Sequence, residues 1–285
     1  RRGGFPRRLG LGNDHSGAAC GRPPAALVRK GRNAMRTLIC GILLCASLCW
    51  AQSSGVPGLG WVESGEPGRY QRVAGVPGAA QIETEWIIPA PRLAALRPGG
   101  AMAAVALEDG TVALARLDAS SGEASLQQLS SAVEAPSLIA WSPSGDALLL
   151  ASPERQLIQV WKVEGAEPAL AREIPLAAER AAVSDGGSRV LALADGVLYQ
   201  MDEDGSMLEV SRNASAFTFL AGSGRYAWIE GSALRLGGPG AEVQPVELEE
   251  HDYGARLLAS AGRGMLLLAE STESETRLRL WNSAA

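Results

Sequence analysis

Beyond residue 51 the sequence has no cysteine, one histidine (His251) and one lysine (Lys162). All four cysteines, Cys20, Cys40, Cys45 and Cys49, lie before that point, as does His15. A disulfide framework, a cysteine nucleophile and a Cys/His zinc cage therefore have no residues to build on. Gly222-Ser223-Gly224 and Gly231-Ser232 lack the Gly-x-Ser-x-Gly frame of a nucleophile elbow. Gly237-Gly238-Pro239-Gly240 lacks the Lys-Ser/Thr and the helix of a phosphate loop.

Positive charge is also scarce there. The 285-residue chain carries −5 overall, but residues 52–285 hold 17 basic and 30 acidic residues, a net of −13. An acidic domain of this kind is not expected to bind nucleic acid or an anionic membrane through charge. The preference for arginine over lysine reads as a GC-rich coding bias.

The first 51 residues are of a different kind. Residues 35–51, MRTLICGILLCASLCWA, place one basic residue, an uncharged apolar run and a small residue in the order of a secretory signal. The apolar run is shorter than the roughly 20 residues of a membrane span. Cleavage is expected between Ala51 and Gln52, with no membrane span afterwards. Leu44 before Cys45 and Leu48 before Cys49 argue against a lipid anchor. Residues 1–34 hold eight basic residues and one acid, Asp14, with no apolar period and no methionine. They read as a disordered, non-native upstream extension, with Met35 as the initiator. A basic cytoplasmic tail on a signal anchor is the other reading.

What remains is repetitive. Five segments share one layout: 92–117, 138–163, 180–201, 215–236 and 255–281. Each has an apolar strand, a glycine turn, a second apolar strand, a polar turn and a third strand. The first turns hold Gly100, Gly145, Gly187, Gly224 and Gly262, spaced by 45, 42, 37 and 38 residues. Glycine accepts the positive φ of a tight turn without a Cβ clash. Asp109-Gly110, Asp195-Gly196 and Glu230-Gly231 mark the second turns. More polar fourth strands fit at Ala124–Leu129, Ala169–Leu176, Met207–Ser211 and Glu242–Leu248. Four antiparallel strands repeating near every 40 residues predict an all-β chain of β-propeller blades. One such sheet cannot cover its own two faces; stacking on neighbours around an axis buries both.

The phrase IAWSPSGDALLLA (139–151), followed by LIQVWKV (157–163), resembles the WD-repeat propeller pattern. Trp161 and Trp281 hold the strand-ending tryptophan position. No Gly-His pair opens a unit, and Lys162 and Asn282 follow those tryptophans where the pattern has Asp. The hydrogen-bonded triad of eukaryotic WD repeats is thus not expected. The closer resemblance is to degenerate WD-like propellers exported by bacteria, many without an assigned function. It covers about residues 92–285 and implies a fold, not an activity.

The expected architecture is a propeller of five four-stranded blades. Residues 52–91 then act as an N-terminal segment whose strand near Trp61–Glu63 or Tyr70–Val73 closes the last blade. The alternative makes residues 52–91 a degenerate sixth blade.

Few residues carry chemistry. His251 lies in Glu249-Glu250-His251-Asp252, where an imidazole beside carboxylates could hold a cation or act as a base. The plainer reading is a polar loop, since consecutive loop residues diverge and no second histidine is near. Asp202-Glu203-Asp204-Gly205-Ser206 resembles the start of a calcium loop but has strand patterns on both sides, and reads as a hairpin turn. Trp86, Trp141, Trp161, Trp228 and Trp281 could stack on sugars; at strand positions they read as packing between sheets. Asn213-Ala214-Ser215 matches a glycosylation acceptor, idle in an ordinary bacterium.

These readings lead to an exported binding or scaffold module, secreted or periplasmic and monomeric. Its expected partner is a protein or carbohydrate of the cell envelope. No catalytic residue, metal or cofactor is expected. The loop face carrying Asp109, Asp195, Glu230, His251 and Asp252 is the candidate surface. It should be acidic and favour a cationic partner. The alternative is a propeller enzyme, a hydrolase, lactonase or lyase acting on sugars, with an acidic funnel site.

Overall fold

A computed structural model describes residues 58–63, 69–74, 81–88, 91–100, 102–117, 124–164, 167–239, 245–248, 255–260, 265–271 and 276–282. Among the described residues there is no α-helix, only a 3-10 turn at Asp185–Gly187. The strands form six antiparallel sheets.

The first sheet contains β1 (Gly58–Glu63), β2 (Arg69–Ala74) and β3 (Gln81–Ile87). The second contains β4 (Pro91–Leu96), β5 (Met102–Leu107), β6 (Val112–Leu117) and β7 (Ala124–Gln128). The third contains β8 (Leu138–Trp141), β9 (Ala147–Ser152), β10 (Leu157–Glu164) and β11 (Glu167–Ile174). The fourth contains β12 (Arg180–Val183), β13 (Val190–Ala194), β14 (Val197–Met201) and β15 (Met207–Ser211). The fifth contains β16 (Ala214–Phe219), β17 (Tyr226–Glu230), β18 (Ala233–Gly237) and β19 (Val246–Glu247). The sixth contains β20 (Ala255–Ser260), β21 (Met265–Ser271) and β22 (Thr276–Asn282). In every sheet the strands pair in chain order, as a blade requires.

The second strand of each repeat explains the packing. Side chains alternate between the faces of a strand, and here both faces are apolar. In β5, Met102, Ala104 and Ala106 face the third sheet, while Ala103 and Val105 face the first. In β9, Leu148 and Leu150 face back to the second sheet, while Ala147, Leu149 and Ala151 face the fourth. β13 divides Val190 and Ala192 from Leu191 and Leu193 in the same way. β17 divides Ala227 and Ile229 from Tyr226 and Trp228. Five apolar clusters thus lie between six successive sheets, one per junction. Leu148, Leu149 and Leu150 have no exposed surface, each contributing about 1.5–3 kcal/mol by burial. This is why these strands read as continuous apolar runs instead of alternating ones.

The first strands of successive sheets lie side by side: β4 meets β8, β8 meets β12, β12 meets β16 and β16 meets β20. The outer strands are polar with isolated exposed apolar residues, such as Leu126 on β7, Leu170 on β11 and Met207 and Leu208 on β15. The architecture is therefore all-β and blade-like, consistent with a β-propeller.

One expectation changes. Among the described residues no strand before Pro91 pairs with the sixth sheet: β1 and β2 pair with each other, β2 pairs with β3, and the described sixth sheet has three strands. Tyr70 and Ile88 pack against Ala103, Val105, Ala113 and Ala115 of the second sheet, so the segment acts as a sheet in its own right. Of the fourth strand expected at Glu242–Leu248, the described part is β19, which pairs with Ala233 and Leu234; residues 242–244 lie outside the described residues.

Candidate functional site

The order of strands fixes which turns share an end. Turns after the first strand of each sheet lie at one end; turns after the second, and the connections between sheets, lie at the other.

The first end is held by hydrogen bonds between neighbouring sheets. Asp185, in the first turn of the fourth sheet, accepts the amide of Ser144 from the third sheet at 2.7 Å on Oδ1 and that of Gly222 from the fifth at 2.6 Å on Oδ2. Asp146 accepts the amide of Gly186 at 2.9 Å and the hydroxyl of Ser142 at 2.8 Å. Burial alone would raise the Asp146 carboxyl, but the hydrogen bonds from Gly186, Ser144 and Ser142 outweigh it and hold the group below its ordinary value. Arg189 donates to Asp202 Oδ1 at 3.0 Å and to the Gly224 carbonyl at 3.1 Å. Between the first turns of the second and third sheets, Gly145 lies where Arg97 crosses, and Arg97 stacks over Trp141 at 5.8 Å.

The opposite end carries the carboxylates singled out from the sequence. Asp109 is exposed and accepts both the amide and the hydroxyl of Thr111, at 2.9 and 2.6 Å. The hydroxyl bond, then the amide bond, lower its pKa. Asp195 and Gly196 both have positive φ, 51° and 74°, the two-residue hairpin geometry that points the carboxylate to solvent. Glu230 ends β17 and pairs with Arg235 of β18 at 2.6 Å. His251 and Asp252 lie outside the described residues. Asp109, Asp195 and Glu230 therefore belong to three separate turns of three sheets and form no single cluster. Among the described residues no group of three His, Cys, Asp or Glu is placed to hold a metal ion.

Other carboxylates share this end. Glu108 and Glu154 are exposed, and Glu134 pairs with Arg155 of the next sheet at 2.6 Å. Gln159, buried, fixes the connection that bears Glu134: it accepts the amide of Val133 at 2.7 Å and donates to the Ser131 carbonyl at 3.0 Å. Arg212 and Glu209 pair at 2.7 Å, and that hydrogen bond lowers the Glu209 pKa.

The tryptophans divide by place. Trp161 and Trp228 are buried between sheets, as packing requires. Trp141 lies on an inner strand, and its Nε1 donates to the Ala95 carbonyl of the preceding sheet at 2.9 Å. The side chains of Trp86 and Trp281 lie outside the described residues. The Asp202–Ser206 segment is a turn, with Gly205 at φ 85° and Asp204 accepting the Ser206 amide at 2.9 Å.

Sequence reasoning passed over two arginines at the start of the inner strands. Arg92 on β4 donates Nη2 to the Pro136 carbonyl, which precedes β8. Arg180 on β12 donates Nη1 to the Ser215 carbonyl of β16 at 2.8 Å and lies over the Phe217 ring at 5.8 Å. Their signal was the arginine opening two of the repeats, RLAAL at 92–96 and RAAV at 180–183.

No protein-family model and no curated protein matches the chain. Among solved structures it is similar to hydrazine synthase of Kuenenia stuttgartiensis, with 14% identity over 74% of this chain and 72% of that one and a TM-score of 0.48. It is similar also to KlHsv2 with loop 6CD replaced by a Gly-Ser linker, with 11% identity over 78% of this chain and 80% of that one and a TM-score of 0.48. At these values the likenesses say nothing of activity, so function is argued from the chain's own residues.

Proposed function

We propose that the chain is an exported binding or scaffold module whose six sheets are the blades of one β-propeller, and that it docks a cationic protein segment on its acidic end. The observation that carries this reading is the set of exposed carboxylates, Glu108, Asp109, Glu154 and Asp195, on second hairpin turns of three successive sheets. A domain of net −13 adds a field of the same sign. Several carboxylates of that end are engaged by their own turns, as Asp109 is by Thr111 and Glu230 by Arg235. Spread over separate turns, they suit recognition of a charged surface better than acid–base chemistry at one point. Export rests on the signal-like run from Met35 to Ala51; protein recovered outside the cytoplasm should begin at Gln52 on N-terminal sequencing.

The test is calorimetric titration of the chain with a decalysine peptide. Binding should weaken about tenfold between about 50 and 300 mM NaCl, because exposed charges are screened. Glu108→Gln, Glu154→Gln and Asp195→Asn combined should weaken it about fivefold or more. Asn tolerates the left-handed backbone of position 195, so the turn survives that change. Equal binding by the triple variant would overturn the reading.

A further inference from the structure

We infer that the outer edge of β22 takes an extended, acidic segment of a partner protein as a fourth strand of the sixth sheet. β22 holds the place in its sheet that β6, β10, β14 and β18 hold in theirs. Each of those four is paired on both edges, and Leu114, Val160, Leu198 and Leu234 on them are buried. Among the described residues β22 pairs with β21 alone, and its Leu280 is 56% exposed. A strand edge of this kind is a template for another chain. The last strands of the other five sheets are blunted. β3, β11 and β15 each have a bulge in the pairing with the strand before them, and β11 also contains Pro168. β7 has five residues, and β19 has two, just after Pro245. β22 runs for seven residues without proline, in unbroken register from Thr276 opposite Ser271 to Asn282 opposite Met265.

Charge and register choose the occupant. The three strands of the sixth sheet contain one acid, Glu270, and three arginines, Arg256, Arg277 and Arg279, in a domain of net −13. Glu270 is buried, with Arg279 Nε at 3.5 Å, so the strands keep an excess of positive charge. Arg277 and Arg279 stand opposite Glu270 and Leu268 and share one face of β22; Leu278 and Leu280 share the other. A fourth strand would therefore meet arginine and leucine positions in alternation. Opposite charges and apolar pairs directly across a ladder attract, and like charges repel. The matching strand thus alternates acidic with apolar residues. The fifth sheet contains a short example: its third strand carries Leu234-Arg235-Leu236, and the strand paired with it is Val246-Glu247. A second copy of this chain lacks such a strand. Two β22 strands paired antiparallel about Arg279 set that arginine against its twin. On β3, Glu83 falls in the bulge, where two residues face Arg72 alone.

The probe is the peptide VEVELEV, with VKVKLKV as its basic counterpart, each added to the full chain. Amide exchange, read by mass spectrometry, should slow about fivefold or more over 276–282 with the acidic peptide. It should stay unchanged over 124–128 and 207–211, the edges of β7 and β15. The basic peptide should leave 276–282 unchanged. Leu280→Ser, at an exposed position, should weaken acidic-peptide binding about fivefold in calorimetric titration, while Leu208→Ser on β15 has no effect. Arg277→Glu should weaken it about tenfold or more. The Leu280→Ser chain should bind decalysine as before, which separates this edge from the acidic end. No slowing over 276–282, equal slowing at all three segments, or full binding by Leu280→Ser would overturn the inference. So would slow exchange over 276–282 in the dilute chain alone, which would place a segment of the same chain on the edge. Slowing that grows with chain concentration in the absence of peptide would assign the edge to a second copy and overturn it too.

Discussion

Asp185 Oδ2 accepts the amide of Gly222 at 2.6 Å, joining the first turn of the fourth sheet to that of the fifth. The other carboxylate oxygen holds Ser144 of the third sheet at 2.7 Å. One side chain therefore spans three sheets. Charge-assisted bonds of this kind contribute roughly 1.5–3 kcal/mol each when well shielded, and less when half exposed as here. Asp185→Ala should destabilise the chain by about 1–3 kcal/mol in urea titrations. Asp185→Asn, which keeps one acceptor oxygen, should cost about half as much. An unchanged midpoint for the alanine variant would show that the turns hold without it.

Acid should weaken this end of the molecule. Asp146 has its pKa lowered in the folded chain by hydrogen bonds that overcome its burial. A group depressed on folding stabilises fully above its unfolded value, here 3.8, and that contribution is lost as pH falls through the lower folded value. Unfolding free energy should thus decline as pH falls below about 4, and Asp146→Asn should flatten that decline. Asp109, Asp204 and Glu209 are lowered too and steepen the same slope. Urea titrations from pH 6 downward measure it; an identical slope in the Asn variant would remove Asp146 from the account.

Two glycines are required for different reasons. Gly145 has φ +77°, and a Cβ there would lie 2.8 Å from Arg97 Cγ and 3.2 Å from the Pro98 carbonyl oxygen. Gly237 is not left-handed, yet a Cβ would meet the Tyr226 ring at 2.8 Å and Trp228 at 2.9 Å. Alanine at either position should cost about 1–3 kcal/mol. Gly237→Ala should also alter the near-ultraviolet dichroism of the Tyr226–Trp228 pair, whose ring centroids are 5.7 Å apart. Gly145→Ala, remote from that pair, should leave the signal alone.

The repeat was legible because its cause is local. Gly100, Gly145, Gly187 and Gly224 all have positive φ, as a tight turn demands. The apolar runs at 102–107, 147–152 and 190–194 mark the strands that hide both faces. β3 is not legible: QIETEWI has three polar residues in a row, Glu83-Thr84-Glu85, so it shows neither the alternation of a half-buried strand nor the apolar run of the repeats, and it has no glycine turn of the repeating kind. Ring closure by an N-terminal strand was inferred from strand counting, and pairing between strands far apart in sequence leaves no local mark. Asp185 looked like any turn acid, since its two partners lie 41 and 37 residues away. The inner arginines were in view but unread, because their meaning comes from the carbonyls they meet in the following sheet.

Each middle sheet is at once host and guest: the residues that seal one junction alternate, one by one, with those that seal the next. Damage to one strand of the third or fourth sheet therefore opens two seams together. A cavity made in β9 should therefore speed amide exchange in the second and fourth sheets alike.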